Sequence, residues 1–433
     1  MLKILFARDL SPDRIKKLTL RESAQDREAV LAAEQIIDRV EKEGESAVLE
    51  YTEKFDRVKL NSLLATPEEF KKAPDALTAE LRKSFEKARD NIREFHELQK
   101  PSFERSQIRK EHELIGYKFL PVHGAGIYVP GGKASYPSSV LMGLVPAGIA
   151  GVRDPILITP PDSSGSVDPA VLFCANMCGC SRVLKSGGAQ GIAAAAFGIT
   201  GLPSAVIVGP GNRYVTAAKQ ILTARGVIRM DLPAGPSEVL VIADKTANAA
   251  FVAADMLSQA EHGSDSPAVL VTDSVDFAQR VSNEIEKGLS ERPQRRAMKE
   301  ASIRDHSFAL VFDDLSAGFD FSNRYAPEHL EICTVDPEKD LEKIESAGSI
   351  FLGHYSPVAL GDYYSGTNHV LPTGGAAHAY SGLGVDSFMK RLTYQMRDAH
   401  SLREALDPVL EISRHEGLEH EHGHSVAVRF EKF

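Results

Sequence analysis

The strongest constraint on the fold is a rhythm that begins near Lys118. Short β-rich runs, GIYVP, DPILITP, RVLKSG, SAVIVGPG, EVLVIAD and PAVLVTD, alternate with Ala- and Gly-rich stretches of helical length. Such alternation predicts an α/β class with parallel sheets. In open sheets of this kind ligands sit beyond the carboxyl ends of the strands, where glycine lets the backbone come close to them. GIYVPGG, SGGAQG and VGPGN fall at such places and offer backbone N–H groups to a phosphate or ring amide. None is a GxGxxG fingerprint, and for each alone the reading as a tight turn is favoured; three in one region predict a nucleotide-type cleft.

Upstream, residues 23–100 read as helices, because Val30, Ala33, Ile36, Ile37 and Val40 recur at helical spacing among charges. A second β/α pattern runs from Glu238 to about Thr373, and from Gly384 the chain reads as helical until a closing strand, VAVRF. A tail of about 50 residues buries little surface alone, so it is expected to pack on the main body or on another subunit. At 433 residues several domains are expected, meeting at clefts.

A composition of 43% hydrophobic and 25% charged residues without low-complexity tracts predicts packed structure throughout. The net charge of −10, with no basic patch interleaved with aromatics, argues against a nucleic-acid partner. MLKILFARDLSPDR has only a short apolar run broken by charges, and no run near 18 apolar residues follows, so a cytoplasmic chain without a membrane segment is expected. Cys174, Cys178, Cys180 and Cys333 suit a reducing compartment. The spacing in CANMCGC is not a common zinc pairing, and its apolar surroundings predict small buried hydrophobes.

Three segments carry side chains suited to chemistry. TANAAFVAADMLSQAEHG reads as a helix ending at Gly263, with Gln259 and His262 on one face of its last turns; His262 there is also explained by the helix dipole alone. RYAPEHLE sets Glu328 beside His329 at an expected loop-to-helix junction, an acid/base pair in type, although adjacent Glu and His are common by chance. ALGDYYSGTNHVLPTGG is poor core material and good loop material; Asp362 and His369 are its candidate ligands or substrate contacts, or else a turn cap and a hydrogen-bonded surface histidine. A site of Gln259, His262, an Asp and one more His would suit Zn²⁺, with the neutral amide favouring a metal that orients substrate.

Taken together, these segments resemble one family, the histidinol dehydrogenases. The blocks EYTEKFD, GIYVPGGKASYPSSVLM, KSGGAQGIAAAAFG, VGPGNRYV, DLPAGPSEVLVIAD, LSQAEHGSDS, NRYAPEHLEI and SPVALGDYYSGTNHVLPTGG occur in the family's order over nearly the whole chain. The resemblance implies one zinc per subunit, held by Gln259, His262, Asp362 and a histidine of the partner subunit's C-terminal tail. It implies that Glu328 and His329 are the acid/base pair, that His369 and Ser237 lie near the substrate, and that Tyr128, Gln190 and Asn212 contact NAD. The implied fold is two Rossmann-like, aldehyde-dehydrogenase-like units lacking GxGxxG, with small helical terminal extensions forming an intertwined homodimer. The partition expected from it is an extension over 1–25, a first α/β domain from 26–127 with 238–383, a second over 128–237, and a dimerisation tail over 384–433. The implied reaction oxidises L-histidinol to L-histidine with two NAD⁺ through a retained aldehyde-level intermediate.

The chain departs from the family pattern in the tail, where six residues, EHEHGH, separate EGL from SV instead of five. Counting back from Ser425 puts the zinc ligand at His422, and counting forward from Leu418 puts it at Glu421. His422 is favoured because a strand VAVRF would fix the register at that end and nitrogen completes a more usual zinc set. Glu416 is then the matching substrate contact, and His420 and His424 are solvent-facing. Two rival readings are a dehydrogenase of another small polyol or sulfonated alcohol on the same scaffold, and a non-enzymatic metal-binding protein.

Overall fold

The computed structural model describes residues 2–21, 27–101, 106–131, 135–232 and 235–430; residues 132–134 of the first glycine-rich loop and 233–234 of DLPAGPSE lie outside them. The strands are β1 (Lys3–Phe6), β2 (Gln107–Lys110), β3 (Glu113–Pro121), β4 (Gly124–Tyr128), β5 (Asp154–Thr159), β6 (Val183–Lys185) and β7 (Val206–Val208). They continue with β8 (Arg229–Met230), β9 (Val239–Ala243), β10 (Ala268–Thr272), β11 (Phe308–Val311), β12 (His329–Cys333), β13 (Ser349–Leu352) and β14 (Met389–Arg397). All six β-rich runs that predicted parallel sheets form strands of parallel sheets.

The chain divides into two compact units, residues 1–99 with 122–388 and residues 100–121 with 389–433. The larger unit holds a six-stranded sheet ordered β1-β11-β10-β9-β12-β13 and a five-stranded sheet ordered β6-β5-β4-β7-β8. Counting each sheet's strands along the chain from β9 and from β4, both run 3-2-1-4-5, the order of doubly wound sheets. The six-stranded sheet is buried on both faces: Val239, Val241 and Ala243 join the core under the helices Ala249–Ala260 and Val275–Glu291. Leu240, Ile242, Leu330 and Ile332 face Phe319, Phe321 and Tyr325 on the other side. Burial on both faces explains why these strands read as continuous apolar runs rather than alternating ones.

The helix Arg27–Glu43 buries Ala29, Ala33, Ile36, Ile37 and Val40, as its periodicity predicts, but against Ile156, Ile158 and Ile207 of the five-stranded sheet. Residues 26–99 thus share the larger unit with both 128–237 and 238–383. The same helical residues pack with 128–237, and β2 and β3 leave the larger unit altogether. At the start of the chain β1 pairs in parallel with β11, and Ile15 and Leu18 reach the core. Periodicity states which face of an element is buried and is silent about which partner covers it.

In the smaller unit β14 pairs antiparallel with β3 from Met389↔Pro121 to Arg397↔Glu113, followed by the helix Ala399–His415. The tail is thus not helical from Gly384 as expected. VAVRF is not a strand either: His424–Ala427 is helical and Val428–Phe430 forms a 3-10 turn. A lone strand leaves its N–H and C=O groups unpaired, whereas a helical turn satisfies them locally. Among the described residues no helix is long and apolar enough to cross a membrane, and all four cysteines are free.

Candidate active site

β9 and β12 are parallel neighbours with Val239 opposite His329, so Ser237–Glu238 and Glu328–His329 meet where the two strands begin. The junction at Glu328 leads into a strand, not into the expected helix. The helix Leu315–Tyr325 stops at Ala326, whose left-handed backbone (φ 48°) turns the chain into Pro327 and β12. The Ser237 hydroxyl donates to Glu328 Oε2 at 2.7 Å, and the Glu238 N–H donates to the same oxygen at 2.9 Å. His329 Nδ1 lies 2.9 Å from the Glu238 carbonyl oxygen and 3.5 Å from Glu328 Oε2. A carbonyl only accepts, so Nδ1 carries the proton and Nε2 keeps its lone pair.

Burial pushes the Glu328 carboxyl up to about 8, with Asp362 adding to the rise and the Ser237 and Glu238 hydrogen bonds opposing it. Burial pushes His329 down, against the raising influence of Asp362 and the Glu238 carbonyl. Because the folded carboxyl ionises far above the unfolded one, its contribution to stability is complete below about 4.5 and is lost as the pH rises through about 8. Glu328→Gln, which accepts the same two hydrogen bonds, is therefore expected to match the parent near pH 4.5 and to exceed its stability by on the order of 5 kcal/mol at pH 9. Thermal melts across that range check it, and a difference independent of pH would contradict it.

The helix Ala249–Ala260 is capped by Asn248 and buries Val252, Met256, Gln259 and Ala260 along one stripe. A glutamine on an apolar stripe is the signal here: Gln259 is buried, and neither its Oε1 nor its Nε2 has a hydrogen-bond partner. Orphaned amide atoms are costly unless something outside the chain satisfies them. His262 follows one turn on, its N–H donating to the Gln259 carbonyl. Its ring is accessible to solvent, yet the surrounding protein pushes its pKa down while Asp362 opposes that. Asp362 sits on the short helix Val358–Tyr363, its carboxyl pushed up by burial and drawn back by His329 and His262.

Two residues that the sequence reading missed, the buried Glu331 and the half-buried Asp255, join these elements. Glu331, two residues after His329 and on the same face of β12, accepts the Val358 N–H at 3.0 Å and hydrogen-bonds Asp255, one turn before Gln259. Burial raises both carboxyls. The helix of Gln259, the strand of His329 and the helix of Asp362 are thereby tied at one point. Buried acids at helical or strand spacing from expected site residues are a signal that could have found them.

His369 accepts or donates at 3.1 Å to Ser139 Oγ and lies 3.8 Å from Asp362 Oδ1. Ser139 is in the first turn of the helix Pro137–Ala150 that follows β4, so the beginning of the six-stranded sheet faces the carboxyl end of the five-stranded one around His369. Among the described residues no group of three or more His, Cys, Asp or Glu is placed to hold a metal. The expected set draws only His262 and Asp362 of those types from this part of the chain.

Tyr128 ends β4, and Gln190 and Asn212 follow β6 and β7, at the carboxyl end of the five-stranded sheet beside the switch between β4 and β7. Tyr128 Oη accepts the Gly188 N–H at 3.3 Å, and Gln190 is buried in the first turn of Gly188–Phe197. Asn212 Oδ1 caps the helix Arg213–Ala224, accepting from Tyr214 and Val215, so its NH₂ is the group left to a ligand. Gly209 has φ 110°, and a Cβ there would lie 2.1 Å from the Tyr128 carbonyl oxygen, which leaves glycine as the residue that fits. A cavity of about 670 Å³ opens here, lined by Phe55, Asp56, Pro130, Gly131, Thr159 and Pro160 among others. Asp56, of EYTEKFD, was not anticipated in it; burial pushes its carboxyl up to about 6.

In the smaller unit Glu416 closes the helix Ala399–His415 and is exposed, as are His420, Glu421, His422 and His424. The His422 N–H donates to the Leu418 carbonyl within a π-helical turn, Glu419–Gly423. Since VAVRF is helical, the strand register that favoured His422 over Glu421 is gone; the chemistry of nitrogen against oxygen remains.

The sequence model of a family described as histidinol dehydrogenase matches residues 19–430. A histidinol dehydrogenase from Leptospira interrogans is 47% identical over 412 residues, 95% of each chain. One from Methanosarcina barkeri is 41% identical over 433 residues, 99% of each. The crystal structure of a histidinol dehydrogenase from Elizabethkingia anophelis superposes with a TM-score of 0.93 at 38% identity, covering 99% of this chain and 98% of that one.

Proposed function

The chain belongs to the histidinol dehydrogenase family and is an oxidoreductase acting on histidinol, and from that premise we propose that it takes L-histidinol to L-histidine in two successive oxidations at one site. The observation that carries the mechanism is the way the Glu238 main chain holds Glu328 and His329 in different protonation roles. His329, neutral and with Nε2 unprotonated, takes the proton of the carbinol hydroxyl as the carbon loses hydride. Glu328 receives both of its hydrogen bonds on Oε2, which leaves Oε1 to take a proton from the water that adds to the aldehyde. His329 then deprotonates the hydrate as the second hydride leaves. Two hydrides and the accompanying protons depart, and one water oxygen stays in the carboxylate.

Gln259 is the observation that supports a metal. Its orphaned amide oxygen, with His262 and Asp362 nearby in the sequence-predicted set and His422 from the partner's tail, fits Zn²⁺. When bound, zinc supplies a Lewis-acid anchor for the substrate's nitrogen atoms and NAD⁺ in the cleft of Tyr128, Gln190 and Asn212 supplies the hydride acceptor. Ser237, His369 and Glu416 are proposed to position the substrate. A homodimer whose tails complete each other's sites, and a cytoplasmic setting suited to four free thiols, complete the reading. Incubation of the zinc-loaded protein with NAD⁺ and histidinol is expected to yield two NADH and one histidine per substrate. One NADH with aldehyde released, or turnover of other polyols in preference, would overturn it.

A further inference from the structure

We propose that Arg21 is a positioning residue for the acid/base pair, acting through Glu238 and through the turn that precedes Glu328. The inference rests on the reading of Glu328 and His329 given above. Glu238 is 1% exposed and touches both members of the pair with its main chain. What holds Glu238 therefore holds them. Its Oε2 lies 2.9 Å from Arg21 Nε and 3.4 Å from the Tyr325 hydroxyl, and its Oε1 accepts the Gly374 N–H at 3.1 Å.

Arg21 reaches the pair from a second side. Its guanidinium stacks on the Tyr325 ring, 3.5 Å from the centroid, and Nη2 donates to the Tyr325 carbonyl and, at 3.4 Å, to that of Ala326. Ala326 is the left-handed residue whose turn sends the chain into Pro327, Glu328 and His329. For an alanine that conformation is disfavoured and persists only where the surroundings enforce it. One planar cation thus grips the carboxylate behind one wall of the site and the strained turn leading to the other. A lysine carries the same charge but has no flat fork to span both.

This geometry separates positioning from mere stapling. Loosening the clamp leaves the elements that carry Gln259, His262 and Asp362 in place, so substrate affinity and metal content are retained while the pair's alignment is lost. In the zinc-loaded enzyme, Arg21→Met is expected to lower kcat about 100-fold and Arg21→Lys about tenfold, with KM for histidinol and zinc content within about twofold. Added guanidinium is expected to restore the Met variant at least about fivefold and leave the parent unchanged. A folded Met or Lys variant with parental kcat, or one whose loss lies wholly in KM or zinc, overturns the proposal. Should Arg21→Met fail to fold, Arg21→Lys decides by the same kcat and KM criteria. Glu328→Gln serves as the reference: full activity in it would defeat the acid/base reading itself, whereas an impaired Glu328→Gln beside a folded, fully active Arg21→Met defeats only the positioning role.

Discussion

Glu328→Gln is expected to halt the reaction midway: a burst of one NADH per site, then steady-state formation of histidine lowered about 10³-fold. The amide keeps the hydrogen bonds from Ser237 and Glu238, so the site stays assembled. It cannot take a proton from water, and the aldehyde waits unhydrated. His329→Asn is expected to remove the burst as well, with a loss of about 10³-fold in the first oxidation, because the basic Nε2 that the Glu238 hydrogen bond leaves unprotonated is gone. The parent's kcat should rise with pH through about 8, since a base must be ionised and burial holds this carboxyl protonated below that point. The rise should vanish in Glu328→Gln. Stopped-flow NADH traces across pH separate the two residues, and two NADH per substrate at parental rate in either variant would exclude its assigned role.

The second large effect concerns the metal and the tail. Asp362→Ala is expected to weaken zinc retention against a chelator by more than about 100-fold and to abolish turnover, because it removes the one anionic member of the expected set. His422→Ala should do the same and Glu421→Ala should not; the reverse result moves the tail ligand to Glu421. Complementation tests whether the tail crosses to its partner. Coexpressed His422→Ala and His329→Asn chains each lack one half of a site. Random pairing makes half of the dimers hybrids, and each hybrid rebuilds one site of two if tails are exchanged, so roughly a quarter of parental activity should return. If each tail serves its own chain, no hybrid is active and no activity returns.

Much of this was open to a reader of the sequence. The six apolar runs announced strands because strands buried on both faces show no alternation to obscure them. Arg27–Glu43 announced its buried face through Ala33, Ile37 and Val40, and helical spacing announced that Gln259 shares a face with His262. Other features were not legible. Glu331 and Asp255 were not singled out by any motif reading, and Asp56, though it ends EYTEKFD, gains its meaning from burial beside the cavity. VAVRF has strand composition, but β propensity is realised only beside a partner strand.

The sequence by itself therefore determined the class of fold, the family and the residue types expected at the site. All of these depend on local pattern and on side-chain chemistry. Only the tertiary structure decided that Arg27–Glu43 covers the five-stranded sheet, that β1 closes an edge of the other, and that Glu328 and His329 stand at the beginning of their strand. It also decided that Arg21, some 300 residues away in the chain, lies behind them. The physical reason is that periodicity encodes which side of an element shuns water, while the partner on that side is chosen by shape and hydrogen bonding among elements far apart in sequence.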